Sequence, residues 1–204
     1  MTSSEVATMF SHFQLADQHV TPRGAKTCQL SAHGAKVAIQ PCTQPVLTPF
    51  PPGNFDKDPA ATRLTLELRC TPELVEYFDA FDLWAKAYIL AHSERLFQKV
   101  LSQTQIEESY HPTVRRHESG KYDPQLRTKI DTAGRREVSY WTPEGVRRAA
   151  PEDWSRVTVL PKLEISNLWV MGREIGWVIQ ATALQVFEES VDCPFAASSA
   201  AEDL

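Results

Sequence analysis

From Glu174 to Leu204 the chain carries six acidic residues and no lysine or arginine. That absence leaves the positive charge to the earlier parts of the sequence, above all its middle. Cysteine is scarce as well. Cys28, Cys42, Cys70 and Cys193 lie far apart, with no CxxC pair and no Cys/His spacing suited to zinc. Neither a metal ribbon nor a disulfide framework is expected, and the thiols read as free ones in a reducing compartment. The eight glycines include no phosphate-cradling loop, and the six histidines show neither HxxxH nor HExxH. There is no GxSxG elbow. No run approaches the ~20 apolar residues needed to span a bilayer. The opening MTSSEVATMFSHFQLADQHV lacks a basic region followed by a continuous apolar one, so it does not read as a secretory signal. Glu5 and Asp17 before the first arginine argue against a transit peptide. The expectation is an intracellular protein, cytoplasmic or nuclear, with no membrane partner, no catalytic group, no metal and no cofactor.

What is present fits one ordinary domain with additions: 204 residues, 42% hydrophobic and 23% charged, with a formal charge of −5. Residues 1–22 show no clean period and read as a loose arm. AKTCQLS (Ala25 to Ser31) and KVAIQ (Lys36 to Gln40) flank a short turn and resemble a hairpin. Six prolines between Pro41 and Pro59 then exclude a helix interior or a central strand and predict a long ordered loop. RLTLELRC alternates Leu64, Leu66, Leu68 and Cys70 with polar residues, the period of a half-buried strand. Thr71 as N-cap, Pro72 at the first helical position and Glu73 in the first turn open a helix. Its apolar residues run toward Leu101, with an interruption near His92–Ser93. Four β-rich runs follow, the last two joined by GREIG, a hairpin connection. Residues 189–204 are small, polar and acidic and read as a disordered tail. The order predicts a mainly β protein with one long helix, an α+β class: a small OB-like barrel over residues 23–188, capped by the helix.

The charge is concentrated. Ser109 to Arg136 holds seven of the chain's 21 lysines and arginines, and only three carboxylates, Glu118, Asp123 and Asp131, stand among them. In KYDPQLRTKI a strand places Lys121, Asp123, Gln125, Arg127 and Lys129 on one face and Tyr122, Pro124, Leu126, Thr128 and Ile130 on the other. Cations neutralise phosphates and aromatic faces stack on bases of any sequence, so the pattern suits a groove for single-stranded nucleic acid. A solvated strand face answers the same pattern. Tyr140 and Trp141 are adjacent and must point to opposite faces, which makes one of them a stacking candidate. Trp169 and Trp177, inside apolar runs, read as core. Asp123 with Lys129 resembles a metal-dependent nuclease site, but Arg127 stands where the second acid belongs. His111 and His117 beside cations read as surface residues. A protein-binding barrel whose basic patch meets an acidic surface is the other alternative.

Together these features resemble the OB-fold single-stranded-DNA-binding proteins of nucleocytoplasmic large DNA viruses and, more remotely, those of podophages. The resemblance covers about residues 24–187. GAKTCQLS and KVAIQ resemble the family's opening strands, and QPVLTPFPPG its proline loop. YHPTVRRHESGKYDPQLRTKI looks like its signature, and LEISNLWVMGREIGWVIQATALQVFE its closing hairpin. Pro51–Pro52 displace the glycine that usually follows the Pro-Phe pair, and the chain ends Asp-Leu where phage relatives carry an aromatic. The resemblance implies a binder in DNA replication, recombination or repair. Arg115, Arg116, Lys121, Arg127, Lys129, Arg135 and Arg136 would hold phosphates, while Tyr122, Tyr140 or Trp141 would stack on bases. The partners expected are single-stranded DNA, replication proteins met through the acidic tail, and a second copy of the chain in a homo-oligomer.

Overall fold

The computed structural model describes residues 3–21, 24–54, 56–155 and 157–188. The tail expected over 189–204, with Cys193, lies outside the described residues. Three helices are described: α1 (Ser3–Met9), α2 (Pro72–Phe97) and α3 (Gln103–Ser109). The strands are β1 (Phe13–Leu15), β2 (His19–Val20), β3 (Lys26–Ala32), β4 (Val37–Ile39), β5 (Val46–Leu47) and β6 (Arg63–Arg69). After the helices come β7 (Val114–Arg115), β8 (Gln125–Asp131), β9 (Ser139–Trp141), β10 (Arg147–Arg148), β11 (Val157–Met171) and β12 (Glu174–Glu188). The protein is mainly β with one long helix. No described helix is long and apolar enough to cross a membrane.

The frame is the hairpin β11–β12, two antiparallel strands of 15 residues turning at Gly172–Arg173. Gly172 has φ +61°, a left-handed value that costs glycine nothing and suits a two-residue turn. Along its other edge β11 pairs in succession with β3, β4 and β5. The turn expected between β3 and β4 forms, closed by two hydrogen bonds between Ala32 and Ala35, yet each strand then finds its own stretch of β11. β12 continues the sheet in parallel to β8 and β9, and β8 pairs antiparallel with β6. The pairing path is open, running β1-β3-β11-β12-β8-β6. The chain beyond β5 does return to β6, where Gly53 and Thr65 exchange two backbone hydrogen bonds of 3.0 and 2.6 Å.

Helix α2 starts as the sequence predicts, with Thr71 Oγ1 accepting from Leu74 N and Pro72 opening the first turn. His92 leaves helical geometry (φ −118°, ψ 15°), which is the interruption expected there. The helix stops at Phe97 rather than near Leu101, because Gln98 turns left-handed and caps it. Ser102 and Gln105 then form a capping box that opens α3, a helix too short for its period to register in sequence.

Of the loose arm expected over residues 1–22, the described residues 3–21 are packed instead. β1 pairs with β3, and the buried Phe10 and Phe13 rings meet Phe81 and Trp84 of α2. Burying one such ring stabilises by about 1.5–3 kcal/mol, enough to hold a short segment that lacks a visible pattern. Cys28, Cys42 and Cys70 are free and buried, and burial pushes the Cys42 thiol up to about 11 and Cys70 to about 12.

Candidate nucleic-acid interface

The outward face of β6 and β8 is a ladder of cross-strand pairs set by register. Arg63 opposes Asp131, Thr65 opposes Lys129, Glu67 opposes Arg127 and Arg69 opposes Gln125. Arg63 lies 3.6 Å from Asp131, and Arg127 donates from Nε and Nη2 to Glu67 Oε1 at 3.2 and 2.8 Å. Arg69 reaches Asp123 at 3.2 Å. The Lys129 rung differs. Its ammonium donates to Thr65 Oγ1 at 2.7 Å, a neutral partner. Among the described residues no carboxylate lies within ion-pair distance of Lys129 or of Arg115 on the neighbouring β7. The Lys129 pKa is lowered first by half-burial, then by Arg127, Arg63 and Arg115. Burial likewise lowers Arg115, with Arg127 adding to it and Glu67 opposing. Both cations, partly desolvated, therefore line one groove with no carboxylate in ion-pair contact among the described residues.

β7 is held where it is by three successive turns of α2. Lys86 pairs with Glu107, and Asp79 takes both oxygens to Arg116 at 2.6 and 2.8 Å. Between them the buried Asp82 accepts from Tyr110 Oη at 2.7 Å, Thr113 Oγ1 at 2.6 Å and Thr113 N at 2.8 Å. Burial raises the Asp82 pKa, and the hydrogen bonds from Thr113 and Tyr110 oppose that rise. Tyr110 Oη in turn accepts from Trp177 Nε1 at 2.8 Å. This chain of bonds ties helix, segment and β12 together and points Arg115 toward β8, whose Gln125 it pairs.

β8 joins the ladder of β12 at Gln180–Lys129, with Gln180 Nε2 also donating to Asp131 Oδ2 at 2.8 Å, and the segment from Tyr110 to Arg115 lies beside them, Tyr110 bridging to Ile175. The result is a groove of roughly 890 Å³. Its lining brings Arg115, Arg116, Arg127 and Lys129 together with His111, Trp169, Trp177 and Met171. It continues past Arg127 and Lys129 into a hollow of about 370 Å³ lined by Arg63 and Phe50, the latter 57% exposed between Pro49 and Pro51. Trp177 is anchored, its ring 4.9 Å from Phe81 and its N–H bonded to Tyr110. Trp169 is different. It is half-buried and lies across Gly176, where a Cβ would come within 2.4 Å of its Cζ2. The missing side chain lets the indole lie flat, its Nε1 donating to Trp177 O at 3.3 Å and the His111 ring 5.5 Å away.

The structure brings together four of the residues singled out in sequence, Arg115, Arg116, Arg127 and Lys129. The others lie elsewhere. β8 begins only at Gln125, so Lys121 and Tyr122 sit in the preceding loop and not on a strand face, because Pro124 has no N–H to give the ladder. There Tyr122 is 57% exposed, with Lys121 Nζ 5.9 Å above its ring and His117 at 5.1 Å. Arg135 is exposed in the loop after β8 and lines neither hollow. Arg136 donates to Glu164 Oε1 at 2.7 Å, a buried carboxylate that Lys36 also reaches at 3.3 Å. Tyr140 is only 9% exposed and packs on Trp154, so it is core and not a stacking face. Trp141 is half-buried, gives its N–H to Ser139 Oγ at 2.9 Å and lies away from the groove. The sequence reading missed Trp169 as a groove residue; the glycine opposite it in the hairpin was the signal available. Among the described residues no group of three or more His, Cys, Asp or Glu is placed to hold a metal ion.

No protein-family model matches the chain, and no curated protein matches it. The resemblance to the nucleocytoplasmic-virus proteins thus has no family match behind it. Among solved structures the chain is similar to a single-stranded DNA-binding protein from bacteriophage Enc34 in complex with ssDNA. The TM-score is 0.43 at 7% identity, over 86% of this chain and 93% of that one. A likeness of that size carries no argument about what this chain binds.

Proposed function

We propose that the chain binds single-stranded DNA, tolerant of sequence, in the groove between β7–β8 and the β11–β12 hairpin. The observation that carries this reading is a pair of cations, the exposed Arg115 and the half-buried Lys129, which have no carboxylate within ion-pair distance among the described residues and line one groove with the flat, half-exposed Trp169 indole. A phosphate beside them compensates for the desolvation, and secondly for the Arg127 repulsion, that lower both pKa values. Trp169 supplies a face for a base, and stacking needs a base freed from pairing, which selects single strand over duplex. Arg127 and Arg63 add partly neutralised charge, and Phe50 offers a second ring at the far end of the groove. The reading requires no chemical step, metal or cofactor. On it the fold is an OB-like barrel, with the Gly53–Thr65 bridge as the seam between β5 and β6, and the place of action is intracellular, in replication, recombination or repair.

The test is fluorescence anisotropy of a labelled oligo-dT of ~30 nucleotides across salt, with duplex and heparin as competitors. Single-strand binding loses affinity with a log–log slope of about −0.7 per neutralised phosphate, so three to five engaged cations predict a slope of roughly −2 to −3.5. Single strand should outcompete duplex and heparin, and tryptophan emission should be quenched on binding. No binding at low salt, or equal competition by heparin, overturns the reading.

A further inference from the structure

Beyond the groove, on the other side of the β11–β12 turn, lies a hollow of about 710 Å³ to which none of the sequence motifs points. It is lined by Lys26 at the start of β3, by Lys99 just after α2 and by Arg173 at the hairpin tip. All three are exposed, and among the described residues none forms an ion pair with a carboxylate. Glu108 is the one carboxylate on its wall. The three cations come from three separate parts of the chain, so their gathering is a product of the fold and not of a basic run.

The two hollows share Met171. Its side chain, 68% exposed, lines this basic hollow on one side and the groove of Trp169 and Arg115 on the other. A large apolar side chain left in water between two sites of the same charge costs solvation unless something lies over it, and a thioether adapts to a flat ring. A molecule with regularly repeated negative charge and apolar faces between the charges satisfies both hollows and the methionine at once.

We propose that Lys26, Lys99 and Arg173 form a second phosphate station for the same single strand, which crosses Met171 on leaving the Trp169 groove. The inference rests on the reading of the groove as a single-strand site. It makes affinity depend on length: an oligonucleotide long enough to pass Met171 gains the second station, and a short one does not.

The experiment compares oligo-dT of about 6 and about 16 nucleotides, both within the range of site sizes for one such domain. Binding to full-length protein is measured by anisotropy across salt. The variant Lys26→Ala/Lys99→Ala/Arg173→Ala should bind the long oligomer roughly tenfold more weakly and lower its salt slope by about 2, three contacts at 0.7 each. Its affinity for the short oligomer should change less than about twofold. Arg115→Ala/Lys129→Ala should weaken both lengths. The charge-keeping variant Lys26→Arg/Lys99→Arg/Arg173→Lys should behave as wild type. If the triple alanine variant binds the long oligomer as wild type does, or loses both lengths equally, the second station is overturned while the groove stands. If wild-type protein binds neither length, both fall.

Discussion

Two basic clusters flank the same sheet, and they differ in how their charge is matched. At the 132–137 loop, Arg136 and Lys36 converge on the buried Glu164, two cations on one carboxylate that has little access to water. In the groove, the exposed Arg115 and the half-buried Lys129 have no carboxylate within ion-pair distance among the described residues; besides desolvation, Arg127 repels both and Arg63 repels Lys129. The first cluster is a clamp. It ties the β4 approach and the loop after β8 to β11, because a buried carboxylate must be matched or it destabilises the fold. The second cluster is the one left short of negative charge. Cation density along the chain therefore does not separate the two clusters, whereas charge matching does, and the proposed binding reading rests on the unmatched one.

The largest effect expected from breaking this comparison is on binding. Arg115→Ala/Lys129→Ala should weaken oligo-dT affinity by roughly 10- to 100-fold and make the salt slope shallower by about 1.4, measured by anisotropy. Thermal stability should hold or rise, since the change removes like-charge repulsion. Next comes Trp169→Ala, expected to cost about 1–3 kcal/mol of binding, with most of the tryptophan quenching lost. Gly176→Ala pushes a methyl into the same indole and should lower stability by about 1–3 kcal/mol in urea melts, while weakening binding less than Trp169→Ala does.

The clamp should answer in the opposite way. Arg136→Ala should reduce stability by about 1 kcal/mol while affinity changes less than twofold, since Lys36 still reaches Glu164. A binding loss there as large as in the groove would erase the distinction between the two clusters. The smallest expected effect is the pH response of Asp82. Its pKa is raised in the folded protein, so the folded state holds that proton to higher pH than the unfolded chain does. Asp82 thus makes folding progressively less favoured as pH rises from its unfolded to its folded pKa, and contributes no slope outside that window. Asp82→Asn should remove that slope in stability measured against pH, at the cost of turning an amide N–H toward Thr113 N or Thr113 Oγ1.

Much of the frame was legible in the chain. The Thr71–Pro72 start of α2, its break at His92, the alternation of β6 and the glycine-turned closing hairpin all follow from local rules of capping, period and turn chemistry. The N-terminal packing and α3 were not legible, since a seven-residue helix spans only about two turns and a three-residue strand barely alternates. Of the site, the outward placement of Arg127 and Lys129 came from the alternation of β8, which a strand's two-residue repeat guarantees.

What the sequence by itself determined was which residues of β8 face outward and that positive charge is rich there. Which of those charges stay unmatched was decided by tertiary structure, because matching is settled across strands and not along them. Register set Thr65 opposite Lys129 and Glu67 opposite Arg127, a shift of one pair from a neutralised lysine. The fold also took Arg136 away to Glu164, buried Tyr140, and laid the half-buried Trp169 across a glycine of the facing strand. Local periodicity is written in the order of residues. Charge balance and exposure depend on which distant residue arrives opposite, and only the folded chain contains that information.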